Sequence, residues 1–154
     1  MYRRYADTGS MGTGIMAATA KTLVAVYATA TIKPYVYDWT LGTTGTPSDS
    51  VMTVSIVRGA GSTATYGTAG TPNPLDFADP AATATVLQAC TTEQTAGVTL
   101  FTVGLNVRAT YRWVAAPGGE LVTAAGTGAQ SSVALRALSP AYVLDASATV
   151  YHGE

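Results

Sequence analysis

Side chains able to do acid–base, nucleophilic or metal chemistry are few in this chain of 154 residues, which holds one His, one Cys, nine Asp and Glu and eight Lys and Arg. The single imidazole, His152, lies two residues from the end of the sequence, and no neighbouring motif encloses it or orients it as a general base. It is expected to be exposed. Ser131-Ser132 lacks a nucleophile-elbow pattern, and the chain offers no His besides the unenclosed His152 to serve a conventional Ser-His-Asp system. Asp76 and Asp79, with Asn73 nearby, form the best cluster of oxygen ligands. A complete calcium site takes about 6–8 oxygens, and two carboxylates among prolines more often cap turns. As a glycosidase acid and base the same pair would share one local turn, which is the wrong geometry. Gly9, Gly12 and Gly14 have no strand before them and no Gly-Lys-Ser/Thr ending after them, so they do not make a phosphate loop. Cys90 reads as a small hydrophobe in a Thr-rich strand, and a lone Cys excludes an internal disulfide. No catalytic residue, cofactor or metal is therefore expected, and the chain reads as a non-enzyme whose product is a surface.

The formal net charge is −1, which does not supply the Lys/Arg set that nucleic-acid affinity requires. No run of about 20 apolar residues exists to span a bilayer. The basic start, Met1-Tyr2-Arg3-Arg4-Tyr5, is followed by Asp7, Thr8, Gly9 and Ser10, where a signal peptide needs a continuous apolar region. No nucleic-acid partner and no membrane partner is therefore expected. Arg108 and Arg112 share one face of a predicted strand over 107–115, with Tyr111 and Trp113 on the other. Arg is suited to bidentate pairing with carboxylates at an interface; a solvated outer face is the alternative.

The elements that must position these residues are short. Ala (27 residues), Thr (26) and Gly (16) dominate, whereas Leu, Ile, Val and Phe together number only 30. Nine Tyr and two Trp compensate, because an aromatic buries a large apolar body while keeping a polar tip available. Residues 1–20 have no period and read as an extended N-terminal arm, which either lies across a neighbouring subunit or frays. From Lys21 the period is two, and Pro34 marks an edge or a new strand before Tyr35, Tyr37 and Trp39, which alternation places on one face. Val51–Arg58 alternates again. A Gly/Thr hairpin is expected over 59–70, a short helical turn over Leu75–Pro80, and a strand over 81–90. Further strands are expected over 98–105, 107–115, 121–123, 132–138 and 147–152. Eight or so strands between Gly/Thr/Pro turns predict an all-β fold, a jelly-roll-like β-sandwich spanning 21–154 as a single domain behind the extended N-terminal arm.

The segment Arg108-Ala109-Thr110-Tyr111-Arg112-Trp113-Val114-Ala115-Ala116-Pro117-Gly118-Gly119-Glu120-Leu121-Val122, with Thr46-Pro47-Ser48-Asp49 and Asp79-Pro80-Ala81-Ala82-Thr83-Ala84-Thr85 before it, resembles a family of small tailed-phage structural proteins, the head decoration or cement proteins. The similarity runs through most of 21–152. It implies a virion protein on the outer face of the capsid, bound to the major capsid protein and clamping adjacent coat subunits. Self-association as a homotrimer is implied, with a dimer as the alternative. Contacts are then expected from Tyr2, Arg3, Arg4 and Tyr5 of the arm and from Arg108 and Arg112. The competing expectation is a phage tail or fibre module that stacks a host glycan on Trp39 and Trp113.

Overall fold

Short segments of period two bury one face each, so they must assemble into sheets that pack face to face. The computed structural model describes residues 3–10, 19–59, 67–90, 92–93, 96–123, 131–139 and 144–154. Its strands are β1 (Arg4–Ser10), β2 (Lys21–Tyr27), β3 (Tyr35–Thr43), β4 (Val51–Gly59), β5 (Thr68–Ala69), β6 (Asn73–Pro74), β7 (Thr85–Gln88), β8 (Ala96–Asn106), β9 (Tyr111–Val114), β10 (Leu121–Val122), β11 (Ser132–Leu138) and β12 (Ala146–Gly153). They form two antiparallel six-stranded sheets, one ordered β10-β3-β12-β1-β6 with β9 also on β3, the other β5-β7-β2-β11-β4-β8. Val24, Val26, Ile56 and Leu135 of the second sheet meet Val36, Trp39, Leu41 and Val150 of the first in one shared core. The fold is a β-sandwich, as the pattern of short strands predicts.

Residues 4–10, expected in the extended arm, are instead strand β1, paired along its length with β12 and at Tyr5 and Ala6 with β6. Their alternation, with Tyr5, Asp7 and Gly9 buried and Arg4, Thr8 and Ser10 exposed, is hidden in the sequence by the small and polar residues that carry it. Tyr2 and residues 11–18 lie outside the described residues.

His152, expected at the surface, is fully buried. β12 runs between β3 and β1 in the middle of its sheet, and its alternation sends Ala146, Ala148, Val150 and His152 inward. Tyr5 lies directly opposite His152 in register, and the two rings stack with centroids 5.5 Å apart.

The strand expected over 107–115 begins only at Tyr111; residues 107–108 form a turn in which Ala109 N–H donates to Asn106 O at 2.9 Å. The strand expected over 81–90 is confined to β7, because Ala89 adopts a positive φ of 47° that ends it. Leu75–Pro80 is a turn without a helix, held by Asp79 N–H on Asp76 O at 2.9 Å. Of the hairpin expected over 59–70, residues 60–66 lie outside the described residues.

A second, smaller cluster of Ala25, Tyr27, Val57, Cys90 and Ala134 occupies the opposite face of the second sheet. Beside it the Glu93 carboxylate accepts from Thr22 N–H at 3.0 Å and from the Thr22 hydroxyl at 2.5 Å, and lies 3.6 Å from Arg136.

Candidate functional site

A β-bulge organises the outer face of the first sheet. Tyr151 pairs with Asp38 and His152 with Val36, leaving Tyr37 as the additional residue of β3. Neighbouring residues at such a bulge turn to the same side. Val36 and Trp39 consequently point into the core, both essentially inaccessible, while Tyr37 and Asp38 lie on the outer side. This breaks the expected trio: Tyr35 and Tyr37 share the outer face and Trp39 does not.

Tyr35 lies over Gly153, its direct partner on β12, so closely that a Cβ on Gly153 would stand 2.2 Å from the ring. Only glycine lets the ring cross the strand there. Tyr37 stands 6.2 Å from Tyr35 and 6.4 Å from Tyr151, both tilted, and the Arg4 guanidinium sits 5.6 Å from the Tyr37 centroid, within range of a cation–π attraction. Burial holds the Tyr37 phenol above its usual range, with Arg4 opposing that shift.

Beside this row, Arg112 on β9 forms a forked ion pair with Asp38, Nη2 to Oδ2 at 2.5 Å and Nε to Oδ1 at 3.1 Å. The residues are diagonal neighbours across β3 and β9, since Asp38 opposes Val114 and Thr40 opposes Arg112. The hydrogen bonds it donates to Asp38 hold the guanidinium above its usual range.

The far wall is the connection from β9 to β10. Gly119 N–H donates to Ala116 O at 2.7 Å, and Gly118 has φ of 80°. Pro at the second position and a left-handed Gly at the third make this the pattern of a type II turn. Ala115 N–H donates to Tyr37 O at 2.9 Å and ties the turn's first arm to β3. Between the turn and Arg4 lies a groove of about 590 Å³, with Tyr35 and Tyr37 along it and Val114, Pro117, Glu120 and Val122 opposite. Val114 and Val122 remain exposed. The chemistry offered is apolar contact, aromatic stacking and one charge of each sign, suited to binding.

The expected contact residues separate. Arg4 lines the groove and Arg112 lies on the same outer face. Arg3 is exposed at the sheet's end, its backbone paired with Glu154 at 3.1 and 3.4 Å. Tyr5 is withdrawn from the contact set, because it is fully buried with its hydroxyl donating to Pro80 O at 3.1 Å. Arg108 does not share a strand face with Arg112; it sits in the turn after β8 with Nε donating to Pro47 O at 3.1 Å. Asp76 Oδ1 accepts from Ala78 N–H at 3.0 Å, a turn-capping role. Among the described residues no group of three or more His, Cys, Asp or Glu is placed to hold a metal ion, and no helix is long and apolar enough to cross a membrane. Sequence reasoning placed Tyr35 and Tyr37 on one face from their i, i+2 spacing but did not name them, or Glu120, as contact residues.

No family model matches the chain, and no curated protein or solved structure matches it either.

Proposed function

We propose that this protein is a non-enzymatic decoration protein of a phage virion, binding the major capsid protein on the outer face of the capsid as a homotrimer with a jelly-roll-like sandwich. The observation that carries the reading is the groove-bearing outer face of the first sheet, a binding surface on a strand framework whose one wall comes from the Arg108–Val122 segment that resembles cement proteins. Burial of the only imidazole supports a role without acid–base chemistry, because a sealed ring cannot exchange protons with a substrate. Several weak contacts repeated over a lattice give avidity without any strong individual site.

Adding purified protein to expanded capsids that lack it tests this. Saturable binding, density outside the coat by cryo-electron microscopy and a raised disruption temperature are expected. Failure to bind, or binding without a raised disruption temperature, overturns the reading.

The tyrosine row favours a second reading, glycan binding by a tail or fibre module. The tryptophans named for it from sequence do not serve, since Trp39 is buried and Trp113 packs partly against the core. Tyr35 and Tyr37 take their place, and Tyr37→Ala should abolish binding to host polysaccharide if that reading holds.

A further inference from the structure

Across Arg4 from the groove, the first sheet ends in a projecting turn. β6 pairs with β1, Leu75 N–H donates to Arg4 O at 2.8 Å, and the Tyr5 hydroxyl reaches out of the core to Pro80 O at 3.1 Å. Pro72, Pro74 and Pro80 stiffen its approaches, and Asp76 caps it from within. On this anchored turn Phe77 is 100% exposed and Leu75 52%. Scattered exposed apolar residues are ordinary, but a fully exposed aromatic on a rigid turn is a ready anchor, since little conformational freedom remains to be lost on binding.

We infer that the Leu75–Asp79 turn of one copy of this chain seats Phe77 in the tyrosine groove of a second copy. Charge selects this occupant: the turn carries Asp76 and Asp79 and no base, while the rim of the groove carries Arg4. Glu120 lies on the opposite wall, so the acidic turn is oriented toward Arg4. Knob and groove are different surfaces of one sheet. The contact is therefore heterologous, and its repetition closes a ring or extends a filament. This deepens the homotrimer proposed above and rests on that reading only for ring size.

Sedimentation velocity of the full chain over a concentration series tests it, with melting followed by circular dichroism to verify folding. Phe77→Ala removes the knob and Val114→Arg fills the groove; both sites are exposed, and Arg4→Glu is a second groove variant. Each is expected to weaken self-association at least about 30-fold, the loss typical of removing an interface anchor. Mixed together, Phe77→Ala and Val114→Arg retain one functional groove and one functional knob, and a 1:1 dimer is expected. A wild-type chain that stays monomeric, variants that assemble like wild type, or a mixture that stays monomeric overturns the inference. Capsid binding is scored separately: a wild type that assembles in this way but binds no capsid refutes the decoration reading and leaves the contact standing.

Discussion

Acidification from pH 7 to pH 4 should destabilise the sandwich through His152, and the effect can be worked from its surroundings. Both ring nitrogens are buried without a hydrogen-bond partner among the described residues, and desolvation pulls the pKa from 6.5 down to about 4. The unfolded chain takes up the proton first as pH falls, so stability is complete above 6.5, declines between 6.5 and about 4, and levels off below. At about 1.4 kcal/mol per pH unit, that interval amounts to about 3 kcal/mol. For a domain of this length it corresponds to a Tm lower by roughly 6–12 °C. His152→Phe keeps an aromatic ring against Tyr5 while removing the two unsatisfied nitrogens, so at pH 7 the variant should be at least as stable as wild type. Urea denaturation of both proteins at pH 7.5, 5.5 and 4 isolates the effect, because the carboxylates titrate alike in each. The variant's advantage should grow by about 3 kcal/mol toward pH 4. A difference that stays flat with pH would refute the reasoning and require a charged, hydrogen-bonded imidazole in the fold.

Asp7 has the opposite sign. Its carboxyl is buried with Oδ2 lacking a partner among the described residues and Oδ1 accepting from Gln88 Nε2 at 2.5 Å, and burial raises its pKa. The folded state thus holds the proton to higher pH than the unfolded chain, and stability falls as pH rises beyond the ordinary carboxylate range. Asp7→Asn should stabilise the protein at pH 7 and give no advantage near pH 3; urea midpoints that shift equally at both values would contradict this. Arg112→Ala leaves the buried Asp38 carboxylate without its forked partner, so it should lower the Tm, and adding Asp38→Asn should recover part of the loss; additive losses in the double variant would count against the pairing. Cys90 is 1% exposed, and burial, followed by Glu93, pushes its thiol up to about 12. Ellman's reagent at pH 8 should therefore react with it only after urea is added; rapid labelling of the native protein would show the site to be open.

The alternation of Val24 and Val26, of Met52, Val54 and Ile56, and of Ala146, Ala148 and Val150 makes strands legible from residue order, because side chains on a pleated chain face opposite sides in turn. The same rule, continued one step beyond Val150, points His152 inward, although its place near the end of the sequence suggested exposure. β1 was less legible: Ala6, Asp7, Thr8, Gly9 and Ser10 carry no apolar period, and they become a strand because β12 offers an edge to pair with, 141 residues away at Thr8 and Thr149. Parity also fails wherever a bulge intervenes. The bulge at Tyr37 separates Trp39 from the two tyrosines and so creates the groove, and only the register against Tyr151 and His152 locates it. By itself the sequence determined the all-β class, most strand positions and the shortage of catalytic side chains, since these depend on local period and composition. Which strands pair, where register slips and which residues meet across a sheet were decided by tertiary structure, because backbone pairing between distant segments sets them and no local window contains both partners.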